Sequence, residues 1–312
     1  MKKCAALILT ALLLCGCGGG TEAEPDQLLT EPAGVTAPSL TETVPPETVD
    51  ASREAQVILE EPPLPASVVL MPEASGLLEQ RCEEAVIDYS HTEDGYVMVQ
   101  YTAETDRRLK VRITRGDVIF TYDLNGAGEY EVLPLQLGSG GYRCTLYKCV
   151  QGNRYAQEGR VDFSANMENE ESAFLCPNQY VDYGPDSAAV ALSMEICQGL
   201  EGDSEKFEAI KKYLTRNFVY DFVKAATVAP GAMPDMDGCL EKRMGICQDL
   251  AALAASMLRV QGIPAKLVIG YADANYHAWN SVLVDGEYRL MDITSEINAI
   301  SKNVTYTVER FY

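Results

Sequence analysis

The fold is decided by residues 244–260, which read MGICQDLAALAASMLRV. Ala, Leu and Met dominate residues 251–260, which is typical of a well-formed helix. Gly262 and Pro264 follow closely, and this order ends a helix and prevents it from restarting. The pattern therefore predicts a helix that begins at Cys247 or within one turn of it.

A cysteine at the start of a helix has chemical consequences. The free backbone N–H groups and the helix dipole favour an anion there, so they favour the thiolate form of Cys247. The same N–H groups are placed to bind a developing oxyanion. Cys247 is therefore the candidate nucleophile.

Three strand patterns follow this helix. Residues 265–271 and 277–284 are rich in apolar and aromatic residues and predict two strands. Asp285-Gly286 predicts a hairpin turn, and residues 287–292 predict the third strand. The unit is a helix followed by an antiparallel sheet.

The chain has two histidines. His91 lies in the polar run 90–93 and is expected to be a solvated loop residue, which leaves His277 as the partner that a thiol nucleophile needs. His277 follows Cys247 by thirty residues, enough for a helix, a turn and a returning strand. Asp292 follows fifteen residues later, within reach of one hairpin, and its carboxylate would orient the imidazole and stabilise the imidazolium. The alternative for Asp292 is a turn residue at a strand end.

This ordered string of motifs resembles the bacterial transglutaminase-like family. The resemblance covers roughly residues 186–296 and is carried by Gly245-Ile246-Cys247, residues 259–265, Gly270-Tyr271, His277-Ala278-Trp279-Asn280 and residues 291–294. It implies a papain-like core with the nucleophile at a helix start, a histidine near the start of one strand and an aspartate on the next. Cys247, His277 and Asp292 match these positions, so a Cys-His-Asp catalytic triad is expected.

The resemblance leaves the second oxyanion donor open. Animal transglutaminases use a tryptophan upstream of the nucleophile, whereas the single tryptophan here, Trp279, lies downstream beside His277. Tyr220 occupies the upstream helix end where related bacterial domains often carry an aromatic residue, and it is equally a candidate core residue. Trp279 is expected to pack beside the imidazole and shield the site. Gln248, next to the nucleophile, is a further oxyanion candidate.

Residues 96–163 have a β pattern. Alternating β-branched and aromatic residues occur in six runs, which are residues 96–101, 109–113, 118–122, 130–137, 142–150 and 155–163. Turn residues separate these runs, and the pattern predicts a small antiparallel, immunoglobulin-like sandwich. A short amphipathic helix is expected ahead of it, at about residues 76–85. Residues 187–199 and 204–218 carry apolar positions at helical spacing and predict two helices, followed by a loop at 230–238.

The first seventeen residues predict a lipoprotein signal peptide. Positive residues at 2 and 3 precede the apolar run Ala5–Leu14, which is too short to span a bilayer. The following Cys15-Gly16-Cys17 resembles a bacterial lipobox with Cys17 as the lipidated residue. Lipidation would hold the protein on the extracytoplasmic face of a membrane. The alternative is an ordinary secretory signal with incidental cysteines.

Residues 21–65 predict a tether. They contain ten acidic residues, one basic residue and eight of the fifteen prolines, with no aromatic residue. Such a stretch cannot bury enough apolar surface to offset the entropy of ordering. The expected organisation is a signal peptide and lipobox at 1–17, a disordered acidic Pro/Thr-rich tether at 18–72, a β-sandwich at 73–165 and a transglutaminase-like domain at 166–312. The fold class is α+β.

Charge and cysteine spacing exclude several functions. The net charge of −21 and the lack of a basic patch argue against nucleic acid. Scarce histidine and the lack of a CxxC motif after the lipobox argue against zinc, and no calcium-loop pattern occurs, so neither a metal nor a cofactor is expected. Six cysteines outside the motifs are either small buried thiols or form one to three disulfides, namely Cys82, Cys144, Cys149, Cys176, Cys197 and Cys239.

The expected function is that of a cell-surface thiol enzyme with a protein or peptide substrate, which its location would place near the cell wall. Hydrolysis of an amide and acyl transfer to an amine share every step but the last, so the sequence leaves protease, amidase and glutamine acyl transfer open. The non-enzymatic alternative is a surface adhesin or assembly module that keeps the papain-like core as a scaffold. Membrane contact is expected through the lipid at Cys17.

Overall fold

The computed structural model describes residues 69–300 and 303–312, together with the backbone of residues 28–30. The predicted signal peptide, the lipobox and most of the predicted tether lie outside these residues. Within the described ranges, no helix is both long enough and apolar enough to cross a membrane.

The N-terminal part is built from two antiparallel sheets. Its strands are β1 Leu28–Thr30, β2 Glu79–Arg81, β3 Ala85–Asp88, β4 Tyr96–Tyr101, β5 Leu109–Arg115, β6 Val118–Leu124, β7 Tyr130–Pro134, β8 Gly140–Gln151 and β9 Arg154–Ala165. One sheet has the order β2-β3-β4-β7 and the other β1-β9-β8-β5-β6. Inward residues of both sheets, such as Val99 and Ile113, are fully buried in one shared core. All six predicted strands are confirmed, with ends that differ by a few residues.

The predicted helix at 76–85 is wrong. The chain forms β2 and β3 there, and Leu77 and Leu78, which would have anchored an apolar helix face, are exposed. The run Ala85–Asp88 is instead buried and pairs antiparallel with β4. Pairing with a neighbouring strand outweighs the weak helical periodicity of such a short segment.

The C-terminal part combines helices with a four-stranded antiparallel sheet of order β14-β13-β12-β15. Its elements are α1 Ala188–Ile196, α2 Asp203–Asn217, β10 Val219–Tyr220, α3 Phe222–Thr227, α4 Met236–Lys242, β11 Met244–Gly245, α5 Cys247–Val260, β12 Ala265–Ala272, β13 Asn275–Val284, β14 Glu287–Met291, α6 Ile293–Ile297 and β15 Tyr306–Phe311. The predicted α+β fold class, with a helix packed on an antiparallel sheet behind an all-β part, is confirmed. The predicted loop at 230–238 is shorter than expected, because Asp235 caps α4 and the helix begins at Met236.

Helix α5 is the centre of this part. Every residue from Asp249 to Val260 is buried, and the helix packs on β12 and β13. Small alanine side chains let the helix axis approach the sheet closely, and the buried Asn280 of β13 donates a hydrogen bond to the Ala251 carbonyl. Gly262 ends the helix with a positive φ of 77°, as its position after the last helical turn predicts.

The last strand joins the two parts. Phe311 lies edge-on against Phe120 of β6, and Gln136 donates a hydrogen bond to the Phe311 carbonyl. Tyr312 packs against Tyr122 and Tyr180. The apolar core is therefore continuous from the β sheets to α5.

Candidate active site

Cys247 is the first residue of α5. Ile246 is the N-cap, with an extended backbone, and the thiol of Cys247 is unpaired and partly exposed. The thiol therefore lies at the positive end of the helix dipole, where backbone N–H groups lack helical acceptors. This is the position that the sequence predicts for it.

His277 lies close to the start of β13 and contacts both other predicted members of the triad. Its Nε2 is 2.9 Å from Oδ2 of Asp292, and its side chain also interacts with Cys247. Because Asp292 occupies Nε2, Nδ1 is the ring nitrogen left for the thiol. The structure thus brings together three side chains that are thirty and fifteen residues apart in the sequence.

The surroundings of His277 favour the imidazolium. Burial lowers the pKa of His277, but the hydrogen bonds to Asp292 and Cys247 outweigh it and raise the pKa to about 9. The imidazole therefore carries its proton at neutral pH. A thiolate beside an imidazolium is the reactive form of a thiol nucleophile.

Asp292 lies one residue past β14 and caps α6. Its Oδ1 accepts a hydrogen bond from the Ser295 N–H at 3.0 Å, and its Oδ2 accepts from the Ser295 hydroxyl at 2.6 Å. Burial raises the pKa of Asp292, but the hydrogen bonds from His277 and Ser295 outweigh it and hold the pKa below the ordinary value. Asp292 is both the turn residue and the partner of His277, so the two interpretations of this residue are compatible.

Tyr306 is a site residue that the sequence does not predict. Its hydroxyl donates to Oδ2 of Asp292 at 2.8 Å, and it comes from β15. Gly270 makes this possible, because a Cβ there would lie 2.0 Å from the Thr307 carbonyl oxygen and would push β15 away. The Asp-x-x-Ser capping spacing could have identified Ser295, but no local signal in the sequence points to Tyr306.

Tyr220 is a further neighbour of the nucleophile. Its short strand β10 pairs in parallel with β11, with Tyr220 opposite Gly245. The hydroxyl oxygen accepts a hydrogen bond from the Cys247 N–H, which leaves its own proton to donate. Burial, aided by the charges of Cys247 and Asp249, raises the pKa of Tyr220 above its ordinary value, so the hydroxyl keeps that proton.

Trp279 and Gln248 lie next to residues of the site. Trp279 is buried, and its ring stacks against His277 with centroids 6.2 Å apart and lies tilted against Tyr306 at 4.9 Å. The side chain of Gln248 donates to the Ala232 carbonyl at 3.0 Å, which ties it to the loop before α4. The structure therefore places both near the site as supporting residues.

The six cysteines outside the motifs are unpaired thiols in the structure. Five of them are buried and Cys82 is half-buried. Cys239 packs against Gly245, where a Cβ would lie 2.6 Å from the Cys239 sulfur. Burial raises the pKa of Cys239 to about 12, which makes it a poor nucleophile. Of the two alternatives left by the sequence, buried thiols describe these residues.

His91 lies away from the described triad contacts, in a turn of the N-terminal part. Its Nδ1 is 3.0 Å from Asp94, and its ring stacks on Tyr96. It is therefore half-buried against its own turn, where the sequence predicts a solvated residue.

The segment that carries Cys247, His277 and Asp292 matches a known protein family. Residues 190–293 match the model of the transglutaminase-like superfamily core, a range that includes Cys247, His277 and Asp292. This segment is a transglutaminase-like domain. The match supports an enzyme at the level of the superfamily. No match was found among curated proteins.

Sixteen chains of solved structures also match. A cysteine protease candidate from Cytophaga hutchinsonii is 14% identical with a TM-score of 0.35, covering 70% of this chain and 91% of its own. A protease candidate from Parabacteroides distasonis is 15% identical with a TM-score of 0.31, covering 49% and 37%. The transglutaminase of red sea bream is 13% identical with a TM-score of 0.24, covering 64% and 48%. Because these values are low, the domain assignment rests on the superfamily match.

Proposed function

We propose that the transglutaminase-like domain is a thiol enzyme that acts on amide bonds of proteins or peptides through Cys247, His277 and Asp292. One observation carries the proposal: the side chain of His277 is hydrogen-bonded to Asp292 and interacts with Cys247 at the same time. This order of sulfur, imidazole and carboxylate is the arrangement that activates a nucleophile in acyl transfer.

The first step forms a thioester. The Cys247 thiolate attacks the amide carbonyl carbon, and the C–N bond then breaks as the imidazolium of His277 gives its proton to the leaving amine. Asp292 stabilises the imidazolium before this transfer and holds the ring in place. We assign two donors to the oxyanion of the tetrahedral intermediate: the Tyr220 hydroxyl, and the Cys247 N–H once the incoming oxygen displaces the Tyr220 oxygen from it.

The second step releases the acyl group. Neutral His277 accepts a proton from water or from a primary amine as that nucleophile attacks the thioester, and the sulfur leaves as the thiolate. Water gives hydrolysis, which is the reaction of a protease or amidase. An amine gives acyl transfer, as in the cross-linking of a glutamine side chain, and both outcomes use the same residues.

Alkylation by iodoacetamide tests the nucleophile. We expect peptide-resolved mass spectrometry of the full chain to show Cys247 reacting faster than the other thiols near neutral pH, because the ion pair with His277 favours the thiolate. His277→Asn removes the imidazolium while keeping a polar side chain, and it should shift the alkylation of Cys247 to higher pH. Uniform slow labelling of all thiols would reject the enzyme assignment in favour of a scaffold that binds partners without catalysis.

We also propose that the chain is a lipoprotein anchored through Cys17 on the extracytoplasmic face of a membrane. Support comes from the signal-like residues 1–17 and the acidic segment behind them. In a bacterial host fed an alkyne-tagged fatty acid, the chain should carry the tag and sediment with membranes. Cys17→Ser should remove both properties, and Cys15→Ser should leave them intact. Tagging that survives Cys17→Ser would contradict this site.

A further inference from the structure

A fully buried carboxylate lies two residues after the nucleophile. Asp249 has no exposed surface, and none of the catalytic steps above uses it. Its Oδ2 accepts hydrogen bonds from the Lys224 ammonium at 2.6 Å and from the Ile246 N–H at 3.0 Å. Its Oδ1 accepts from the Asp235 N–H at 2.9 Å. Both oxygens are therefore satisfied, and one partner is a cation.

This carboxylate joins the segments that border Cys247. Ile246 is the residue directly before the nucleophile, and Lys224 lies on α3, which follows the strand that carries Tyr220. Asp235 is the N-cap of α4. The three segments come from different parts of the sequence, and they converge on one side chain in the third position of α5.

The carboxylate has little freedom to move. A Cβ at Gly245 would lie 3.0 Å from the Cβ of Asp249, so the chain before the nucleophile packs directly on this side chain. By accepting the Ile246 N–H, Asp249 fixes the backbone that leads into Cys247. The direction of the Cys247 N–H, which reaches the Tyr220 hydroxyl, depends on that backbone.

The charge of Asp249 creates an electrostatic requirement. A buried negative charge two residues from Cys247 opposes formation of a thiolate there, because like charges repel strongly where water is excluded. The Lys224 ammonium cancels that charge at 2.6 Å and lies 3.9 Å from the Asp235 carboxylate. The side chain of Lys224 is 28% exposed, so the pair is shielded but not sealed from water.

We propose that Lys224 and Asp249 form a positioning ion pair. The pair fixes the backbone that leads into Cys247, and the ammonium neutralises the carboxylate charge beside the thiol. The proposal rests on the proposed function, since it concerns the thiolate of that mechanism. Lys224 and Asp249 act through Cys247 and do not touch the reacting bond.

Several titratable or charged groups lie around Cys247 and the residues that contact it. These groups are Asp249 of α5, Tyr220 of β10 with Asp221 after it, Lys224 of α3, Asp235 and Cys239 at α4, His277 of β13, Asp292 before α6 and Tyr306 of β15. Changing the charge of Lys224 or Asp249 leaves all the others in place, so the two changes should act with opposite sign.

Alkylation of Cys247 by iodoacetamide tests this pair in the full chain. The measured quantity is the half-maximal pH, at which the alkylation rate reaches half its maximum. Lys224→Met leaves Asp249 uncompensated and should raise that pH by about one unit, the effect of a unit charge roughly 10 Å away in a partly buried setting. Asp249→Asn leaves the ammonium uncompensated and should lower it by a similar amount. The double variant restores neutrality and should return within about 0.3 units of wild type.

Two controls separate charge from damage to the fold. Lys224→Arg keeps the charge and should leave the half-maximal pH near the wild-type value. Lys212→Met removes an exposed lysine of α2 and should have no effect. A merely structural pair would give single variants that unfold more easily, without opposite shifts and without recovery in the double variant.

The outcomes also distinguish this inference from the proposed function. If wild-type Cys247 reacts preferentially and depends on His277, but neither Lys224→Met nor Asp249→Asn moves the half-maximal pH, the ion-pair inference is overturned and the triad stands. Shifts of the same sign in both single variants overturn it as well. If wild-type Cys247 shows no preference and no dependence on His277, the proposed function itself fails.

Discussion

At the scale of single residues, the site depends on the contact between His277 and Asp292. Asp292 receives hydrogen bonds from the imidazole, from Ser295 and from Tyr306, so its charge is held in one place. A carboxylate with so many donors stays ionised, and an ionised carboxylate stabilises the imidazolium. The pH behaviour of the protein should reflect this pair.

The first prediction concerns Asp292→Asn. The pKa of His277 is raised to about 9 from an ordinary 6.5, so the pair stabilises the fold fully below about pH 6.5 and loses this contribution as the pH rises through 9. The lowered pKa of Asp292 adds a contribution that is present above its ordinary 3.8 and is lost as the pH falls through the lowered value. The loss of unfolding free energy in Asp292→Asn should therefore be largest near pH 5–6, at about 1–3 kcal/mol, and smaller above pH 9.

Proton NMR titration of the His277 ring measures the same effect directly. The midpoint should lie near 9 in the wild-type chain and fall by about one to two units in Asp292→Asn. Asp285→Asn, in the exposed turn between β13 and β14, is the matched control and should leave the midpoint unchanged. A wild-type midpoint near 6.5 would contradict the described contacts.

The second prediction concerns Tyr220→Phe. Loss of the hydroxyl removes one proposed oxyanion donor, so the release of p-nitrophenol from p-nitrophenyl acetate should slow about 10²-fold. Alkylation of Cys247 by iodoacetamide forms no oxyanion, so its rate should hardly change. Tyr271→Phe, at an exposed strand end, serves as the control. Equal losses in both reactions would mean that Tyr220 acts through packing alone.

At the scale of elements, the site is made by α5, the sheet behind it and the short segments before it. Helix α5 could be predicted from residues 244–264 because its composition and its stop signals are local. The pairing of β10 with β11 could not be predicted, because two strands of two residues carry no periodicity. That pairing nevertheless carries Tyr220 to the nucleophile.

The third prediction concerns the packing of β11 on α4. Gly245→Ala would place a Cβ 2.6 Å from the Cys239 sulfur and 3.0 Å from the Cβ of Asp249, so we expect a destabilisation of about 1–3 kcal/mol in urea unfolding. Cys239→Ala removes the sulfur from this contact. In the Gly245→Ala background it should recover part of the loss, and additive losses in the double variant would argue against the clash.

At the scale of the whole molecule, Arg259 ties the segment that follows the β sheets to the C-terminal part. It is buried at the end of α5, and its guanidinium donates to the carbonyls of Ala265, Cys176 and Tyr312. Cys176 belongs to the segment between the β sheets and α1, and Tyr312 follows β15. One side chain therefore satisfies backbone acceptors from three distant segments.

The fourth prediction concerns Arg259→Met. This change keeps much of the side-chain volume but leaves buried carbonyls without donors, so unfolding should be easier by about 2–4 kcal/mol. Arg259→Lys keeps the charge without the planar fork and should fall between Arg259→Met and wild type. Urea unfolding followed by tyrosine fluorescence and by circular dichroism measures both variants. If Arg259→Met unfolds at the same urea concentration as the wild type, the three contacts contribute little.

The sequence by itself determined the helix that carries Cys247, the strands that carry His277 and lead to Asp292, and the β pattern ahead of them. These features could be predicted because caps, turns and alternating polarity act over a few residues. Only the tertiary structure decided that Tyr306 supports Asp292, that Tyr220 meets the nucleophile and that Lys224 neutralises Asp249. Each of those contacts joins residues at least fourteen positions apart. Their geometry depends on how strands and helices pack, and no local pattern in the chain encodes that.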